Sequence, residues 1–256
     1  MDRKNKCNNF KVYQQAMAKF YDDMAREDRY GIWKELVADI VKKYNTAIDT
    51  CLDIACGTGN ISKILIELGY RVVGVDISSE MISVAKRKFS KEKFICSDIR
   101  DFDLANETKR SISLVVSFYD SLNYLLSSKD ILQAFKSVSR NVSSGTIFLF
   151  DMNSMDHIKT AQKFRPQIFE GDEFFAVFRY GGKDELWVLD IDLFAKEGNY
   201  YRLTKERHIE RGYDKVDIER LLNRAKFNLL ETREEYKMYE DNKEHLSRIY
   251  FIAQKL

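Results

Sequence analysis

One glycine-rich turn and two later aspartates, each at the end of a predicted strand, are the residues of this sequence best suited to chemistry. The turn is Asp53-Ile54-Ala55-Cys56-Gly57-Thr58-Gly59, and the later aspartates are Asp76 and Asp98. Glycines allow the backbone to approach a ligand that a Cβ atom would exclude. A carboxylate at Asp76 suits ribose hydroxyls, and one at Asp98 suits an exocyclic amino group such as that of adenine. These residues predict a site for an adenosine-containing ligand.

The same turn lacks the residues that usually bind a pyrophosphate. A dinucleotide fingerprint would continue with a third glycine where this chain has Ser62, and the turn contains no lysine or arginine. A nicotinamide-dependent oxidoreductase is therefore disfavoured, but it stays open as an alternative of another class. A cofactor-binding scaffold without activity is a further alternative.

The turn resembles motif I of the class I S-adenosylmethionine-dependent methyltransferases. The resemblance implies S-adenosyl-L-methionine as cofactor and S-adenosyl-L-homocysteine as product, with Asp76 at the ribose and Asp98 at the adenine. Shorter segments are similar to a small-molecule branch that includes glycine/sarcosine and amino-sugar N-methyltransferases: Tyr21-Asp22, Tyr30, Trp33, Asp120-Ser121-Leu122-Asn123-Tyr124 and Glu206-Arg207-His208. The expected cofactor-binding residues are Tyr21, Trp33, Ala55, Cys56, Gly57, Gly59, Asp76, Ile77, Asp98, Ile99, Ser117 and Phe118.

Methyl transfer from a sulfonium depends on alignment and exclusion of water more than on a nucleophile. Ser117 and Phe118 end or follow the fourth predicted strand, where open parallel sheets place their ligands. Tyr13, Tyr21 and Trp33 could hold the methionine end and its cationic sulfur by cation–π and hydroxyl contacts, although an aromatic stripe at helical spacing also suits a core. Asp53 is expected to orient the turn through backbone hydrogen bonds rather than to touch the ligand.

His208 is the candidate general base, because it shares a predicted strand face with Glu206 and Glu210. A neutral imidazole could take the proton of an attacking ammonium or hydroxyl group; a structural histidine is the alternative reading. The four cysteines form no CxxC pair and the three histidines are scattered, so no metal site is expected.

These residues must be positioned by an alternation of strands and helices that is typical of a parallel sheet. The predicted core strands are Thr50–Ala55, Arg71–Asp76, Lys93–Ser97, Ser113–Phe118, Thr146–Asp151, Asn228–Tyr236 and Arg248–Gln254. Three further runs of strand character predict an antiparallel sheet: Phe169–Tyr180, Glu185–Ala195 and Tyr200–Arg211. The predicted fold is α/β: a Rossmann-like seven-stranded mixed sheet with helices on both faces, plus a small antiparallel β lobe inserted after strand five.

The expected domains follow from this order of elements. Residues 1–153 and 213–256 form the cofactor-binding core, with residues 10–44 as a helical lid. Residues 154–212 form an antiparallel substrate lobe. Its exposed strands leave both a monomer and a homodimer open.

A formal net charge of +2 over 256 residues gives no bulk attraction to nucleic acid or to an anionic membrane. No apolar run approaches the length of a membrane span, and the first residues carry no signal peptide pattern, so a cytoplasmic protein is expected. The expected partner is a small polar methyl acceptor, methylated on an amine nitrogen; a small-molecule O-methyltransferase is the alternative.

Overall fold

The computed structural model describes residues 12–24, 29–105, 107–108, 111–238 and 245–256. The strands in these residues are β1 (Thr50–Ile54), β2 (Arg71–Asp76), β3 (Lys93–Cys96), β4 (Ile112–Ser117), β5 (Ile147–Asn153), β6 (Gln167–Gly171), β7 (Phe174–Lys183), β8 (Leu186–Glu197), β9 (Tyr200–Arg211), β10 (Phe227–Met238) and β11 (His245–Lys255). The helices are α1 (Gln15–Met24), α2 (Arg29–Lys43), α3 (Asn60–Glu67), α4 (Ser79–Lys88), α5 (Ser128–Asn141), α6 (Met155–Ala161) and α7 (Lys215–Arg224), with a 3₁₀ turn at Ser121–Tyr124.

Seven strands form one mixed sheet in the order β10-β11-β5-β4-β1-β2-β3. The pairs among β1 to β5 are parallel, whereas β11 is antiparallel to both β5 and β10. The chain moves outward from β1 to β3 and then returns to place β4 on the other side of β1. This reversal creates a crevice at the carboxyl ends of β1 and β4, which is where open sheets bind ligands.

The sheet is covered on both faces, and β1 is therefore buried along its whole length. Alternate side chains of β1 enter different apolar layers. Leu52 and Ile54 pack with Phe135 of α5 and Ile218 of α7. Cys51 packs on the opposite face with residues of α2 and α3. The predicted fold class is thus confirmed, including helices on both faces.

A second sheet of four antiparallel strands, β6-β7-β8-β9, follows β5. The sequence predicted three strands here, and that number is wrong. The run Phe169–Tyr180 is divided by a turn after Gly171, so that β6 folds back on β7 and Gly171 pairs with Phe174. Both strands have the same β character, so only the turn separates them. Helix α6, which leads into this sheet, was also not predicted.

Helix α1 joins the second sheet to the large one. Its Met17 and Phe20 pack against Phe174, Ile191 and Leu193 on one face of the second sheet. Of the expected lid, residues 10–11 and 25–28 lie outside the described residues, and α1 and α2 account for most of the remainder. Within the described part of the chain, no helix is both long enough and apolar enough to cross a membrane.

Candidate functional site

A cavity of about 360 Å³ opens at the carboxyl ends of β1 to β4. Its size is within the range of pockets that hold small ligands and cofactors. It is lined by Tyr13, Tyr21, Asp53, Ala55, Cys56, Gly57, Thr58, Asn60, Ile61, Asp76, Ile77, Met81, Asp98, Ile99, Arg100, Phe118, Tyr119, Ser121, Tyr124, Leu125, Leu126 and Asp130. Nine of the twelve predicted cofactor residues are in this lining; Trp33, Gly59 and Ser117 are not.

The turn after β1 uses left-handed backbone at Ala55 (φ 57°), Gly57 (φ 54°) and Gly59 (φ 86°). Such strain in a residue with a Cβ atom is most often found at functional sites. A Cβ atom at Gly57 would meet no described atom within 4 Å, so the space beside this residue is free for a ligand. A Cβ atom at Gly59 would lie 3.0 Å from the Phe89 ring. Position 59 therefore requires glycine because of its left-handed backbone and its close approach to Phe89. Gly59 does not line the cavity.

Asp76 anchors the turn as well as lining the cavity. Its Oδ2 accepts a hydrogen bond from the Gly57 N–H at 2.8 Å, and its Oδ1 accepts one from the Ser78 N–H at 2.9 Å. Burial raises the pKa of Asp76, although these hydrogen bonds act in the opposite direction. A carboxylate has about four acceptor positions, and the Ile77 backbone also bonds to Asp76, so one position is left for a hydroxyl group in the cavity.

Asp53 is hydrogen-bonded to Ser62, the residue that stands where a dinucleotide-binding sequence would have its third glycine. Ser62 Oγ donates to Asp53 Oδ2 at 2.6 Å. The Ser62 backbone also bonds to Asp53, so these contacts tie β1 to the first turn of α3, directly after the glycine turn. Burial raises the pKa of Asp53 to about 7. Asp53 is thus a buried carboxyl that loses its proton only near neutral pH.

We expect Asp53→Asn to become progressively more stable than wild type as the pH rises. Because the folded pKa of about 7 lies above the ordinary value of 3.8, the stability that this group contributes is lost as the pH rises through 7. Asparagine keeps an oxygen for Ser62 and cannot ionise. The difference in unfolding free energy, variant minus wild type, should grow by about 2 kcal/mol from pH 5 to pH 8.

Urea unfolding at the two pH values measures this difference, with the exposed substitution Asp101→Asn as control. A constant difference across that range would show that Asp53 is ionised throughout.

Asp98 is held by a residue that the sequence analysis did not identify. Arg100 donates to both carboxylate oxygens of Asp98, with Nη2–Oδ2 at 2.6 Å and Nε–Oδ1 at 3.0 Å. The same guanidinium donates from Nη1 to Asp130 at 2.9 Å. Arg100 and Asp130 line the cavity beside Ile99. Nothing in the spacing of these residues marks Arg100, because its second partner is thirty positions away.

Helix α1 covers one side of the cavity and is fastened to the glycine turn by Asp22. Its Oδ1 accepts hydrogen bonds from Thr58 Oγ1 at 2.5 Å and from Asn60 Nδ2 at 3.0 Å. Its Oδ2 accepts one from Lys88 Nζ at 2.7 Å. Burial opposes ionisation of Asp22, but these donors outweigh it and lower its pKa. Tyr21, which precedes Asp22, is thereby held against the cavity.

Trp33 was predicted to contact the cofactor, but the structure places it in the core. The indole is fully buried, donates its N–H to the Tyr250 hydroxyl at 3.2 Å, and stacks on Phe118 with ring centroids 5.4 Å apart. Phe118 itself lines the cavity, so Trp33 supports that wall from behind. Ser117 is also buried behind the lining, at the end of β4. The aromatic stripe of α2 could not distinguish a core position from a cavity position.

His208 is separated from the cavity by the side chain of Tyr124. Tyr13 and Tyr124 line the cavity, and their hydroxyls are 2.8 Å apart. The Tyr124 hydroxyl is 2.9 Å from His208 Nδ1, and His208 Nε2 is 3.2 Å from Glu206 Oε2. Burial raises the pKa of Tyr13 and of Tyr124, so both phenols stay protonated near neutral pH. The predicted base is therefore not in the cavity lining, and a hydroxyl pair stands between it and any substrate.

The segment after β4 is strained and rests on a buried polar cluster. Tyr119 (φ 64°) and Asp120 (φ 50°) both have left-handed backbone. Arg248 donates to Asp120 Oδ1 at 2.9 Å and to Asp151 Oδ2 at 2.7 Å. Burial and the charge of Asp120 raise the pKa of Glu210 well above its usual range, so its neutral carboxyl can donate to Asp120. No local spacing singles out Arg248 on β11, because Asp151 lies on β5 and Asp120 lies in the segment after β4.

The chain is similar to known methyltransferases along nearly its whole length. A family model described as a methyltransferase domain matches residues 51–145. The Bacillus subtilis protein YqeM, itself described only provisionally as a methyltransferase, is 33% identical over 255 residues, which cover 95% of this chain and 97% of that protein. The crystal structure of an S-adenosylmethionine-dependent methyltransferase from Clostridium acetobutylicum is 30% identical, covers 93% of this chain and 97% of its own, and has a TM-score of 0.77.

A curated relative with a named acceptor matches a shorter stretch. It is the dTDP-3-amino-3,4,6-trideoxy-alpha-D-glucopyranose N,N-dimethyltransferase of Streptomyces venezuelae. It is 27% identical over 143 residues, which cover 55% of this chain and 58% of that protein.

Proposed function

This chain belongs to the S-adenosylmethionine-dependent methyltransferases, and on that premise we propose that it transfers a methyl group to an amine nitrogen of a small polar metabolite. The cavity beside the glycine turn is the observation that carries the proposal. It brings the free space at Gly57, the carboxylate of Asp76 and the side chain of Ile99 together at the carboxyl edge of the sheet. Amine methylation is supported by the Streptomyces venezuelae relative, which is named as an amino-sugar N,N-dimethyltransferase.

The residues of the cavity fit an adenosine-containing cofactor. In the proposal, Asp76 accepts hydrogen bonds from the ribose hydroxyls, and the Asp98–Ile99 segment lies at the adenine. When bound, S-adenosylmethionine supplies a methyl group that is already activated by its positively charged sulfur. Tyr21 and Phe118 would present aromatic faces and exclude water from that region.

The acceptor amine must lose a proton to become methylated. The Tyr124 hydroxyl, which lines the cavity and contacts His208, gives that proton a path. In the proposal, the Tyr124 oxygen takes the proton from the amine as its own hydroxyl proton moves to His208 Nδ1. The imidazolium that forms is then stabilised by the Glu206 carboxylate at 3.2 Å. The high pKa of Tyr124 fits this role, because the phenol passes a proton on without being a resting phenolate.

We also propose a separate role for each of two parts of the chain. Residues 1–153 and 213–256 are the cofactor-binding core, with the described residues of 10–44 as its lid. Residues 154–212 are the acceptor lobe. The support for this division is β9, which carries His208, Glu206 and Glu210 on one buried face toward the core.

Calorimetric binding of S-adenosylhomocysteine tests the proposed cofactor. We expect micromolar binding to wild type and at least about 30-fold weaker binding to Asp76→Ala, since the substitution removes a buried acceptor and frees the turn. Asp76→Asn should be intermediate, because it keeps one oxygen for the Gly57 N–H. The exposed substitution Asp101→Ala is the control.

Two other outcomes would contradict the proposed function. Wild type that fails to bind S-adenosylhomocysteine would overturn the proposal. Binding of NAD in its place would favour an oxidoreductase built on the same type of turn.

A further inference from the structure

Glu206 is a buried carboxylate that serves two elements at once. It is 5% exposed, on β9 of the second sheet. Its Oε2 accepts a hydrogen bond from the Tyr13 backbone N–H at 2.7 Å, and its Oε1 accepts one from the Gln14 backbone N–H at 2.8 Å. It also contacts His208 Nε2 at 3.2 Å. Since carboxylates are costly to bury, these three donors must all be in place for Glu206 to remain there.

The two backbone donors lie immediately before α1, which begins at Gln15. The N–H groups at a helix N-terminus have no partner within the helix, and a negative charge there is stabilised by the helix dipole. Glu206 therefore caps α1 from a strand that is 193 positions away in the sequence. The same helix is fastened at its other end by Asp22 to the glycine turn.

The capped segment forms part of the cavity wall. Tyr13 and Tyr21 both line the cavity, and their rings meet edge to face with centroids 5.8 Å apart. The backbone oxygen of Tyr13 accepts a hydrogen bond from Ser78 Oγ at 3.0 Å, two residues after Asp76. A shift at Tyr13 would therefore move the wall and disturb the hydroxyl pair with Tyr124 together.

We propose that Glu206 is a positioning residue that links the second sheet to the cofactor cavity. By capping α1 it holds Tyr13 and Tyr21 over the cavity, and through His208 it orients Tyr124. This inference rests on the proposed function, because it assigns the covered part of the cavity to the amino-acid portion of the cofactor. The adenosine portion lies at Asp76 and Ile99 and does not depend on the cap.

The test compares S-adenosylhomocysteine with adenosine as calorimetric probes of wild type, Glu206→Gln and Glu206→Asp. In Glu206→Gln, one amide N–H₂ would face a backbone N–H, so the cap is lost at nearly constant size. We expect this variant to bind S-adenosylhomocysteine about tenfold more weakly, while adenosine binding changes by less than about twofold. Glu206→Asp keeps the charge and should recover part of the loss.

The matched control is Glu197→Gln, which alters an exposed ion pair with Arg202 on the same hairpin. It should change neither affinity. If Glu206→Gln weakened both probes equally, or neither, the positioning role would be wrong. Failure of wild type to bind S-adenosylhomocysteine would instead count against the proposed function.

Hydrogen exchange on the ligand-free protein tests the cap independently of any ligand. Glu206→Gln should speed exchange of the α1 amides at least about tenfold, with exchange in β1 and β4 unchanged. Unchanged exchange in α1 would overturn the inference. Faster exchange throughout the large sheet would also overturn it, because Glu206 would then act on global stability.

Discussion

Replacing Arg248 with methionine will lower the free energy of unfolding by about 3 to 5 kcal/mol. Arg248 is 7% exposed, and its guanidinium bonds to Asp120 and Asp151 at 2.9 and 2.7 Å. Methionine fills much of the same volume but leaves these two carboxyls buried without the guanidinium that bonds to them. Breaking a buried ion pair on one side costs far more than the pair contributes, because the remaining charge cannot regain water.

Chemical unfolding at pH 5 and pH 8 measures this effect and its cause. In Arg248→Met the folded pKa values of the carboxyls rise, so their contribution to stability is present at low pH and lost as the pH increases. The deficit relative to wild type should therefore be smaller at pH 5 than at pH 8. Adding Asp151→Asn should recover part of the loss, since the pKa of Asp151 is already raised to about 6 by burial.

Arg207→Met is the matched control, because Arg207 pairs with Asp190 at 2.7 Å on the exposed surface. Exposed ion pairs are screened by solvent and contribute little to stability, so little change is expected. An equal loss in both variants would show that the cluster under Asp120 is not the cause.

Replacing Gly74 with alanine will cost about 3 kcal/mol of stability, at the upper end for overpacking of a core. A Cβ atom there would lie 2.5 Å from Phe94 Cδ1 and 2.8 Å from Cys56 Sγ. Neither atom can easily move, because Phe94 and Cys56 are buried together with Ile82 under α4. The clash also presses on the glycine turn, so S-adenosylhomocysteine binding should weaken with the loss of stability.

Thermal and urea unfolding measure the loss, and a double variant tests its origin. Gly74→Ala combined with Phe94→Leu should be more stable than the sum of the two single changes, because the smaller side chain relieves the clash. Gly181→Ala is the control, since a Cβ atom at Gly181 would have no described atom within 4 Å. Strictly additive losses would show that the clash with Phe94 is not the cause of the cost, and would leave the contact with Cys56 Sγ as its source.

Whether the position of a residue or strand could be predicted from the sequence has a physical cause. Asp76 could be found because it follows a buried strand and a glycine turn, and both signals are local. Trp33 could not be assigned, because an aromatic residue at helical spacing suits a core and a cavity wall equally. The three expected lobe strands became four, because a single turn divided a run with uniform strand character.

The sequence by itself determined the order of the strands in the large sheet and of the helices between them, and the edge of the sheet at which the cavity forms. These follow from the burial pattern of each strand and from one glycine turn, which neighbouring residues specify. Only the tertiary structure decided which buried charges meet. Tyr13 and Glu206 are 193 positions apart, and Asp120 and Arg248 are 128 apart. No local spacing encodes such pairs, because packing of distant strands and helices alone brings them into hydrogen-bond distance.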